Sequence, residues 1–381
     1  MTSTKKIIFV TSTRADFGKL KSLIKITRKS FLFKVYIVVT GMHMLGKFGS
    51  TYREVEKVFK KDIIKFKNQS LNDRLELILT KTTKKFSNIV KRLNPDLIVI
   101  HGDRVEALSC ALVGSLNHIL TAHIEGGEVS GTIDDTIRHA LTKLSHIHFV
   151  GSKIAHKRVL KMGEDKKSIF TIGSPDIDII LKKKLPSIQY VKRRYQIKFT
   201  NYAILLWHPV TSSVKSIKQD TINLINFLES LDRKVIVIYP NNDPGSNQII
   251  DIYNRLKNKN FKILKSLRFE NFLSLLKNSD FIIGNSSSAI YEAPMFNIPS
   301  INIGDRQYKR LKLSTIKNFD LQKLNKKHLV DFLNTYKKTN KIIFGNGSSD
   351  KKFINILKKK IFWKTSKQKF FSEGDNYEFY K

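Results

Sequence analysis

Three carboxylates in the first half of the chain, Asp103, Glu125 and Asp134, have types and spacing suited to moving protons. Asp103 and Glu125 each follow a short β-branched run, so we predict that they end neighbouring parallel strands within one substrate's width of each other. Partly buried carboxylates at that separation push each other's pKa values apart, which prepares one as a base and another as an acid. Asp134 opens a predicted helix, where a carboxylate also serves as an N-cap.

Two histidines lie close to these acids. His101 and His123 stand two residues before Asp103 and Glu125, so the period of a strand turns them to the same side as those carboxylates. A metal site made from these four residues is conceivable, but no tight ligand motif supports it. We therefore favour histidines that pack in the structure or touch substrate, and we expect no metal.

A run of hydroxyls in the second half predicts a place for an anion. Gly284–Ser288 reads GNSSS and leads from a predicted strand into a predicted helix that begins near Ser287. Hydroxyls and backbone N–H groups at a helix N-terminus bind anions, although an N-cap with two spare serines explains the same letters. Arg306, after the next strand, offers two parallel donors to the same anion. Glu292, one turn into that helix, either accepts two ribose hydroxyls or is a solvated helix residue.

Two common phosphate-binding motifs do not occur in the sequence. The chain lacks Gly-x-x-x-x-Gly-Lys-Ser/Thr, which argues against phosphoryl transfer of the P-loop kind. Thr11 to Gly18 occupies the place where Gly-x-Gly-x-x-Gly would follow the first strand, which weakens a dehydrogenase interpretation.

The elements that must position these residues follow an alternating order. Short β-branched runs bounded by Gly, Asp, Asn or Pro alternate with segments of helical period, which is typical of a parallel α/β sheet. The order repeats in the second half, so we predict two doubly wound Rossmann-like domains. We place them at 1–182 and 183–362, with a basic break near Lys182–Lys198 and a polar tail, 363–381, frayed or loosely packed. The predicted strands begin near Ile7, Val35, Ile63, Leu97, Ile119, His146, Ile169, Ala203, Val235, Phe261, Phe281 and Ser300.

Composition excludes several classes of protein. The 381 residues are 41% hydrophobic, enough for two cores, and one cysteine, Cys110, excludes an internal disulfide framework and fits a reducing, cytoplasmic setting. No apolar stretch approaches a membrane span, so we expect no membrane partner. The formal charge of +37 would suit a nucleic-acid binder, but the lysines are scattered. We favour a solvated surface that attracts an anionic substrate over a nucleic-acid partner.

The sequence segments around these residues resemble those of a known family. The segments that carry the resemblance are TSTRADFGKLK (11–21), TGMHM (40–44), HGDRVEAL (101–108), HIEGGEVSGTIDDTIRHALTKLSHIHF (123–149), GSPDID (173–178), HPVT (208–211), YPNNDPG (239–245), GNSSSAIYEAP (284–294) and IGDRQYKR (303–310). Together they resemble the hydrolysing UDP-N-acetylglucosamine 2-epimerases of sialic-acid biosynthesis, in order from about residue 5 to residue 360. The resemblance implies the GT-B arrangement, in which the two domains face each other across a cleft.

The resemblance also implies a reaction. UDP-N-acetylglucosamine and water would give N-acetylmannosamine and UDP through a 2-acetamidoglucal, with no cofactor and no metal. A rival in the same class acts on a UDP- or GDP-linked 2,4-diacetamido-2,4,6-trideoxy sugar of the legionaminic acid route. A non-hydrolysing epimerase, a glycosyltransferase and a basic nucleic-acid binder are weaker alternatives. Relatives of this kind imply a homo-oligomer, either a dimer or a tetramer.

Site residues are carried over position by position. Asp103, Glu125 and Asp134 resemble the acid–base trio of the family, in an order that the sequence leaves open, and His208 matches a histidine at the diphosphate or leaving group. The positions that resemble substrate-binding residues of the family are Arg14, Lys19, His43, Arg104, Ser286, Ser287, Glu292 and Arg306.

The chain departs from the family's pattern after the double serine. Ala289 and Tyr291 stand where a glycine and an arginine are usual. The loss of that arginine removes a cation, so the predicted diphosphate site depends on Arg14, Arg306 and Arg310 for its positive charge.

Overall fold

The β-branched runs form the strands of two parallel sheets, and most of the segments between them form helices. Successive parallel strands need a crossover connection, which is why helices and strands alternate along the chain. These features come from a computed structural model, which describes residues 4–71, 73–182, 185–210, 214–307, 310–338 and 344–372.

The chain divides into two compact units. Unit 1 takes in Met1–Glu128, Asp134–Lys182 and Ile343–Lys381, and unit 2 takes in Val129–Ile133 and Lys183–Ile342, as far as their residues are described. Each unit contains one of the parallel sheets. The two doubly wound sheets predicted from the alternation are therefore present.

The sheet of unit 1 has seven strands in the order β3-β2-β1-β4-β5-β6-β7. The order in which successive strands are added reverses between β1 and β4. Ligands of doubly wound sheets bind at this switch point. The strands are β1 Lys5–Thr11, β2 Phe33–Val39, β3 Ile63–Lys65, β4 Leu97–His101, β5 Leu120–Ile124, β6 Ile147–Val150 and β7 Ile169–Thr171. Its helices are α1 Arg14–Arg28, α2 Tyr52–Val58, α3 Leu75–Leu93, α4 Val105–Leu116, α5 Ile133–Leu144, α6 Lys153–Lys161 and α7 Pro175–Lys182.

Apolar side chains cover both faces of this sheet. Along β1, Ile7 and Phe9 belong to one buried cluster and Ile8 and Val10 to another, as the two-residue period of a strand requires. Strands buried on both faces read as continuous apolar runs, which is why they stand out in the sequence. Polar residues follow directly after the carboxyl ends of the strands.

The sheet of unit 2 has six strands in the order β10-β9-β8-β11-β12-β13. Gly284 ends β11 with φ +133°, and a Cβ there would lie 2.0 Å from the carbonyl oxygen of Leu206 in β8, so a larger residue would push these strand ends apart. The strands are β8 Ala203–Leu206, β9 Val235–Ile238, β10 Phe261–Leu264, β11 Ile282–Gly284, β12 Ser300–Ile303 and β13 Ile316–Phe319, and the helices are α8 Ile188–Tyr195, α9 Ile217–Ser230, α10 Ser246–Arg255, α11 Phe269–Lys277 and α12 Lys326–Thr335.

The end of the predicted second domain is wrong. Helix α13, Ser349–Leu357, packs in unit 1 against α1, although the sequence prediction assigned all of 183–362 to the second domain. Phe353 of α13 lies with its ring centroid 4.7 Å from that of Phe149. Asp178 accepts hydrogen bonds from the Ser349 backbone N–H at 3.0 Å and from its hydroxyl at 2.6 Å. An amphipathic face predicts burial but does not identify the sheet that buries it.

The described part of the predicted frayed tail is anchored. The Lys369 ammonium donates to the carbonyl oxygens of Lys143 and Ser145, at the end of α5, at 2.7 and 2.6 Å. It also donates to the Glu164 carboxylate at 2.6 Å. A cation at the C-terminus of a helix offsets the partial negative charge there. Residues 373–381 of the predicted tail lie outside the described residues.

The predicted helix from Ser287 to Phe296 is also wrong. Two 3₁₀ turns, Ser287–Ala289 and Ala293–Phe296, take its place. Pro294 lacks a backbone N–H, so a continuous α-helix through it would lose a hydrogen bond and clash with the preceding turn. Strand β13 had not been predicted. Among the described residues, no helix is both long enough and apolar enough to span a bilayer.

Candidate functional site

Glu125 is the centre of the polar cluster in unit 1. It follows β5 with φ +63°, a left-handed conformation that costs energy for a residue with a side chain. The Lys19 ammonium lies 3.0 Å from Oε2, and His101 Nε2 lies 2.9 Å from the same oxygen. The Ser174 hydroxyl donates to Oε1. Helix α1, strand β4 and the loop before α7 thus converge on one carboxylate.

This environment keeps Glu125 ionised. Burial alone raises the pKa of its carboxyl, but the Lys19 ammonium, His101 and the Ser174 hydroxyl together hold that pKa well below its ordinary value. Lys19 also lies 2.7 Å from Oδ2 of Asp176, a residue that is only 1% exposed. Lys19 was predicted to face phosphate groups, and the structure instead places it between two carboxylates.

Asp103 is paired with an arginine of helix α5. Arg138, which is buried, donates to the Asp103 carboxylate and also lies 3.3 Å from the carbonyl oxygen of Glu128. Asp134 lies in the first turn of α5 and is half-buried.

Two arginines predicted to bind substrate lie beside acids in unit 1. Arg14 Nη2 lies 2.7 Å from Glu54 Oε1, and both side chains are 19% exposed. Arg104 Nε lies 3.6 Å from Oε2 of the buried Glu106. Each arginine therefore already has an acidic neighbour inside its own unit.

His43 and His123 are core histidines in this structure. His43 is fully buried, and its two ring nitrogens lie 3.0 Å from the Thr11 hydroxyl and 2.6 Å from the Thr51 hydroxyl. Burial lowers its pKa to about 4. With both nitrogens engaged, the predicted contact between His43 and substrate has no support in the geometry. His123 is also fully buried, and burial lowers its pKa to about 3.

In unit 2, the ends of β8 and β11 are joined by a side chain. Asn285 accepts a hydrogen bond from the His208 backbone N–H at 2.8 Å, and its amide donates to the His208 carbonyl at 2.8 Å. The Asn241 backbone N–H donates to His208 Nδ1 at 3.0 Å. Because a backbone N–H can only donate, Nδ1 is unprotonated and the ring proton is on Nε2. His208 is therefore arranged as a neutral hydrogen-bond donor.

The hydroxyl run after β11 lies beside Arg306. Arg306 Nη1 and Gln307 Nε2 donate to the Asn285 carbonyl at 3.3 and 2.8 Å. The Ser286 hydroxyl accepts from the backbone N–H of Ser288 at 3.3 Å, capping its own turn. A three-residue 3₁₀ turn has little dipole, so an anion here would depend on hydroxyls, N–H groups and Arg306. The predicted contribution of an α-helix dipole is absent.

Glu292 is buried with an unsatisfied acceptor. Its side chain is only 3% exposed, and Oε2 has no hydrogen-bond partner among the described residues. A buried acceptor without a donor is costly, and a ligand that supplies hydroxyl donors would remove that cost. This observation favours the ligand-binding interpretation of Glu292 over the solvated one.

Arg310 occupies space next to the residue that departs from the family's pattern. Its guanidinium lies 5.4 Å from the ring centroid of Tyr291, and its Nε donates to the carbonyl oxygen of Val129 at 2.5 Å. The cation is thus close to the position where the usual arginine is missing.

Four residues of these clusters were not predicted as site residues. Ser174, Asp176, Arg138 and Asn285 were all within segments that carried the family resemblance, but no role was given to them. A signal existed for Ser174, since it closely follows the end of β7. Across the described chain, no group of three or more His, Cys, Asp or Glu has an arrangement that would hold a metal ion.

Comparisons with known proteins agree with one another. Residues 25–358 match the profile of the family described as UDP-N-acetylglucosamine 2-epimerase. The chain is 41% identical over 321 residues to the UDP-N-acetylglucosamine 2-epimerase of Neisseria meningitidis serogroup B, covering 84% of this chain and 85% of that protein. It is 36% identical over 334 residues to the GDP/UDP-N,N'-diacetylbacillosamine 2-epimerase (hydrolyzing) of Campylobacter jejuni, covering 85% and 86%.

A solved structure matches the fold. The Methanocaldococcus jannaschii UDP-GlcNAc 2-epimerase, crystallised with UDP-GlcNAc and UDP, superposes with a TM-score of 0.78 at 22% identity, covering 92% of this chain and 99% of the other. This likeness confirms the predicted fold class, an α/β protein with two Rossmann-like domains of the GT-B type.

Proposed function

The chain belongs to the UDP-N-acetylglucosamine 2-epimerase family, and on that premise we propose that it is a hydrolysing 2-epimerase. The family membership makes it an enzyme that acts on nucleotide sugars. The proposed reaction converts UDP-N-acetylglucosamine and water into N-acetylmannosamine and UDP, the first step of sialic-acid biosynthesis in the cytoplasm. The observation that carries the proposal is the half-buried, ionised Glu125 among Lys19, His101 and Ser174, in a chain 41% identical to a UDP-N-acetylglucosamine 2-epimerase.

The first step of the reaction is an elimination. The C2–H bond and the bond between C1 and the diphosphate oxygen break, and a 2-acetamidoglucal and UDP form. The C2 proton is barely acidic, so its removal must accompany positive charge developing at C1. Glu125, being ionised, accepts that proton and offsets the charge at C1.

The second step adds water to the intermediate. A water oxygen bonds to C1 while that water loses one proton to a carboxylate of the site, and C2 receives a proton from the opposite face, which inverts that carbon. Asp103 and Asp134 are the remaining carboxylates of the proposed trio, and one of them supplies the proton. Asp103, paired with the Arg138 guanidinium, is suited to stabilising charge, which favours Asp134 as the proton donor.

The groups of unit 2 are proposed to bind the nucleotide. His208 donates from Nε2 to the diphosphate, and Ser286, Ser287 and Arg306 supply further donors. Glu292 accepts the two ribose hydroxyls, which satisfies its buried oxygen. Arg14 and Arg104 retain their predicted roles near the phosphates as a part of this proposal. No cofactor, no metal and no nucleic-acid partner enters the scheme, and the enzyme is proposed to be a dimer or a tetramer.

A second candidate substrate is suggested by the name of a relative. The Campylobacter jejuni relative, at 36% identity, has a name that specifies GDP- or UDP-linked diacetylbacillosamine and hydrolysis. The two candidate sugars differ at C4 and C6.

The test is product analysis by NMR in deuterated water. The purified enzyme is incubated separately with UDP-N-acetylglucosamine and with UDP- and GDP-N,N'-diacetylbacillosamine. We expect free N-acetylmannosamine carrying deuterium at C2, together with UDP. Release of UDP-N-acetylmannosamine would refute hydrolysis, and turnover of a diacetamido sugar alone would establish the second candidate.

A further inference from the structure

We propose that Asp176 is a positioning residue for this reaction, which holds the Lys19 ammonium at a shared site with the Glu125 carboxylate. The inference rests on the proposed function and adds a residue to it. Asp176 is the second residue of α7, whereas Lys19 belongs to α1, and the two helices pack against each other in unit 1.

The geometry is that of one ammonium between two acids. Lys19 Nζ lies 3.0 Å from Glu125 Oε2 and 2.7 Å from Asp176 Oδ2, so the shorter contact is the one with Asp176. Lys19 and Glu125 are each only 15% exposed and Asp176 is 1% exposed. In such surroundings, a long lysine side chain with a single acidic neighbour would still have rotamer freedom, whereas two acids fix the position of its ammonium.

An N-terminal position in a helix does not by itself account for Asp176. An acid in the first turn of a helix is favourable when it is solvated. Burying its charge, however, is expensive unless a cation is paired with it. Lys19 is a cation within hydrogen-bond distance of both acids, so its positive charge offsets that of Asp176 as well as that of Glu125.

The arrangement has a defined electrostatic consequence. The charged or titratable groups that face Glu125 are Lys19 from α1, His101 from β4 and, through Lys19, Asp176 from α7, with the neutral Ser174 beside them. The carboxylates of Asp176 and Glu125 lie less than about 6 Å apart, a range at which like charges raise each other's pKa. Lys19 makes Glu125 a weaker base, and Asp176 partly restores its basicity.

A double-mutant cycle tests the proposal. Lys19→Met, Asp176→Asn and the double variant are compared with the wild type by the acid limb of kcat/KM against pH, which reports ionisation in the free enzyme. Lys19→Met is expected to move that limb upward by about 2 pH units, because two like charges are then adjacent. Adding Asp176→Asn should bring it back by about 1 unit. If the acid limbs of Lys19→Met and of the double variant lie at the same pH, the proposal is overturned.

The single variant Asp176→Asn gives a separate readout. At pH 7.5 its kcat is expected to fall by about threefold to tenfold with KM within about twofold, since Glu125 becomes a weaker base without changing substrate contacts. Asp176→Glu, which keeps the charge, should restore most of the lost kcat. A change confined to KM, or equal losses in both variants, would contradict a positioning role.

Thermal unfolding covers the case in which Lys19→Met folds poorly. That variant leaves the half-buried Glu125 and the buried Asp176 without their shared ammonium, so it should have the lowest Tm, and the double variant should recover part of the loss. A double variant no more stable than Lys19→Met would overturn the proposal without any activity measurement. Absence of sugar turnover by the wild type would refute the proposed function instead, so the two failures can be told apart.

Discussion

The polar edges of the two sheets differ in chemistry: one consists mainly of charged pairs and the other mainly of neutral hydrogen-bond donors. In unit 1 the edge is crowded with charge, with Glu125 between Lys19 and His101 and Asp103 against a buried arginine. In unit 2 the corresponding edge consists mostly of neutral donors: hydroxyls, backbone N–H groups and a histidine whose ring proton is fixed on Nε2. Charged pairs adjust the ionisation of a group that must move a proton, whereas neutral donors bind an anion without changing protonation.

The comparison predicts its largest effect at Glu125. Glu125→Gln keeps the shape of the side chain and removes its charge, so the rate should fall at least about 100-fold while UDP affinity stays within about twofold. Steady-state kinetics and UDP titration calorimetry measure the two quantities separately. Asp103→Asn and Asp134→Asn are expected to behave alike, and near-normal rates in all three would show that the charged edge does no acid–base chemistry.

The next effect is expected at the hydroxyl run of unit 2. Ser286→Ala combined with Ser287→Ala should weaken UDP binding by about 1–3 kcal/mol, because donors to the diphosphate are lost. Titration calorimetry with UDP measures this change directly. Ser266→Ala combined with Ser230→Ala, two hydroxyls elsewhere in unit 2, provides the matched control. Unchanged UDP affinity in the first pair would refute the assignment of this turn to the diphosphate.

The positions of these groups were partly predictable from the sequence. Buried parallel strands appear as apolar runs, and their ends identified Asp103, Glu125 and His208 before any coordinates. The pairing of Lys19 with Asp176 was not predictable, because the two residues are far apart in the chain and meet only where α1 packs on α7. Pairing between elements depends on packing angles that a single sequence does not specify.

Local signals also failed in an instructive way. Serines followed by apolar residues predicted a helix from Ser287, yet Pro294 and the turn that Ser286 caps favour two 3₁₀ turns. Helix α13 had a clear amphipathic pattern, but that pattern is satisfied equally by either sheet. His43 shows the same limit, since a histidine after a strand end can serve the core or a ligand.

A smaller effect should distinguish the roles of the two ring nitrogens of His208. His208→Gln preserves a donor near the position of Nε2, whereas His208→Asn preserves an acceptor near Nδ1 for the Asn241 backbone N–H. If the donor contacts the diphosphate, His208→Asn should lose about tenfold in kcat/KM and His208→Gln distinctly less. The reverse order would mean that His208 acts by organising its own loop.

The smallest effect concerns acid stability, where the two units should again differ. His43 and His123, both in unit 1, have pKa values lowered by burial to about 4 and about 3, below the unfolded value of about 6.5. Their contribution to stability is complete above pH 6.5 and is lost as the pH falls through 4 toward 3, because the unfolded chain then binds protons that the folded unit excludes. The described residues of unit 2 include no fully buried histidine.

The two tryptophans report on the units separately, since Trp363 belongs to unit 1 and Trp207 to unit 2. Trp207→Phe leaves a reporter for unit 1, and Trp363→Phe leaves one for unit 2. In acid titrations followed by fluorescence, the Trp363 signal should change at a higher pH than the Trp207 signal. His43→Gln, which keeps polar contacts without a titrating ring, should move the Trp363 transition to lower pH and leave the Trp207 transition in place. If the Trp363 and Trp207 transitions occur at the same pH and His43→Gln moves neither of them, the buried histidines do not set the pH at which unit 1 unfolds.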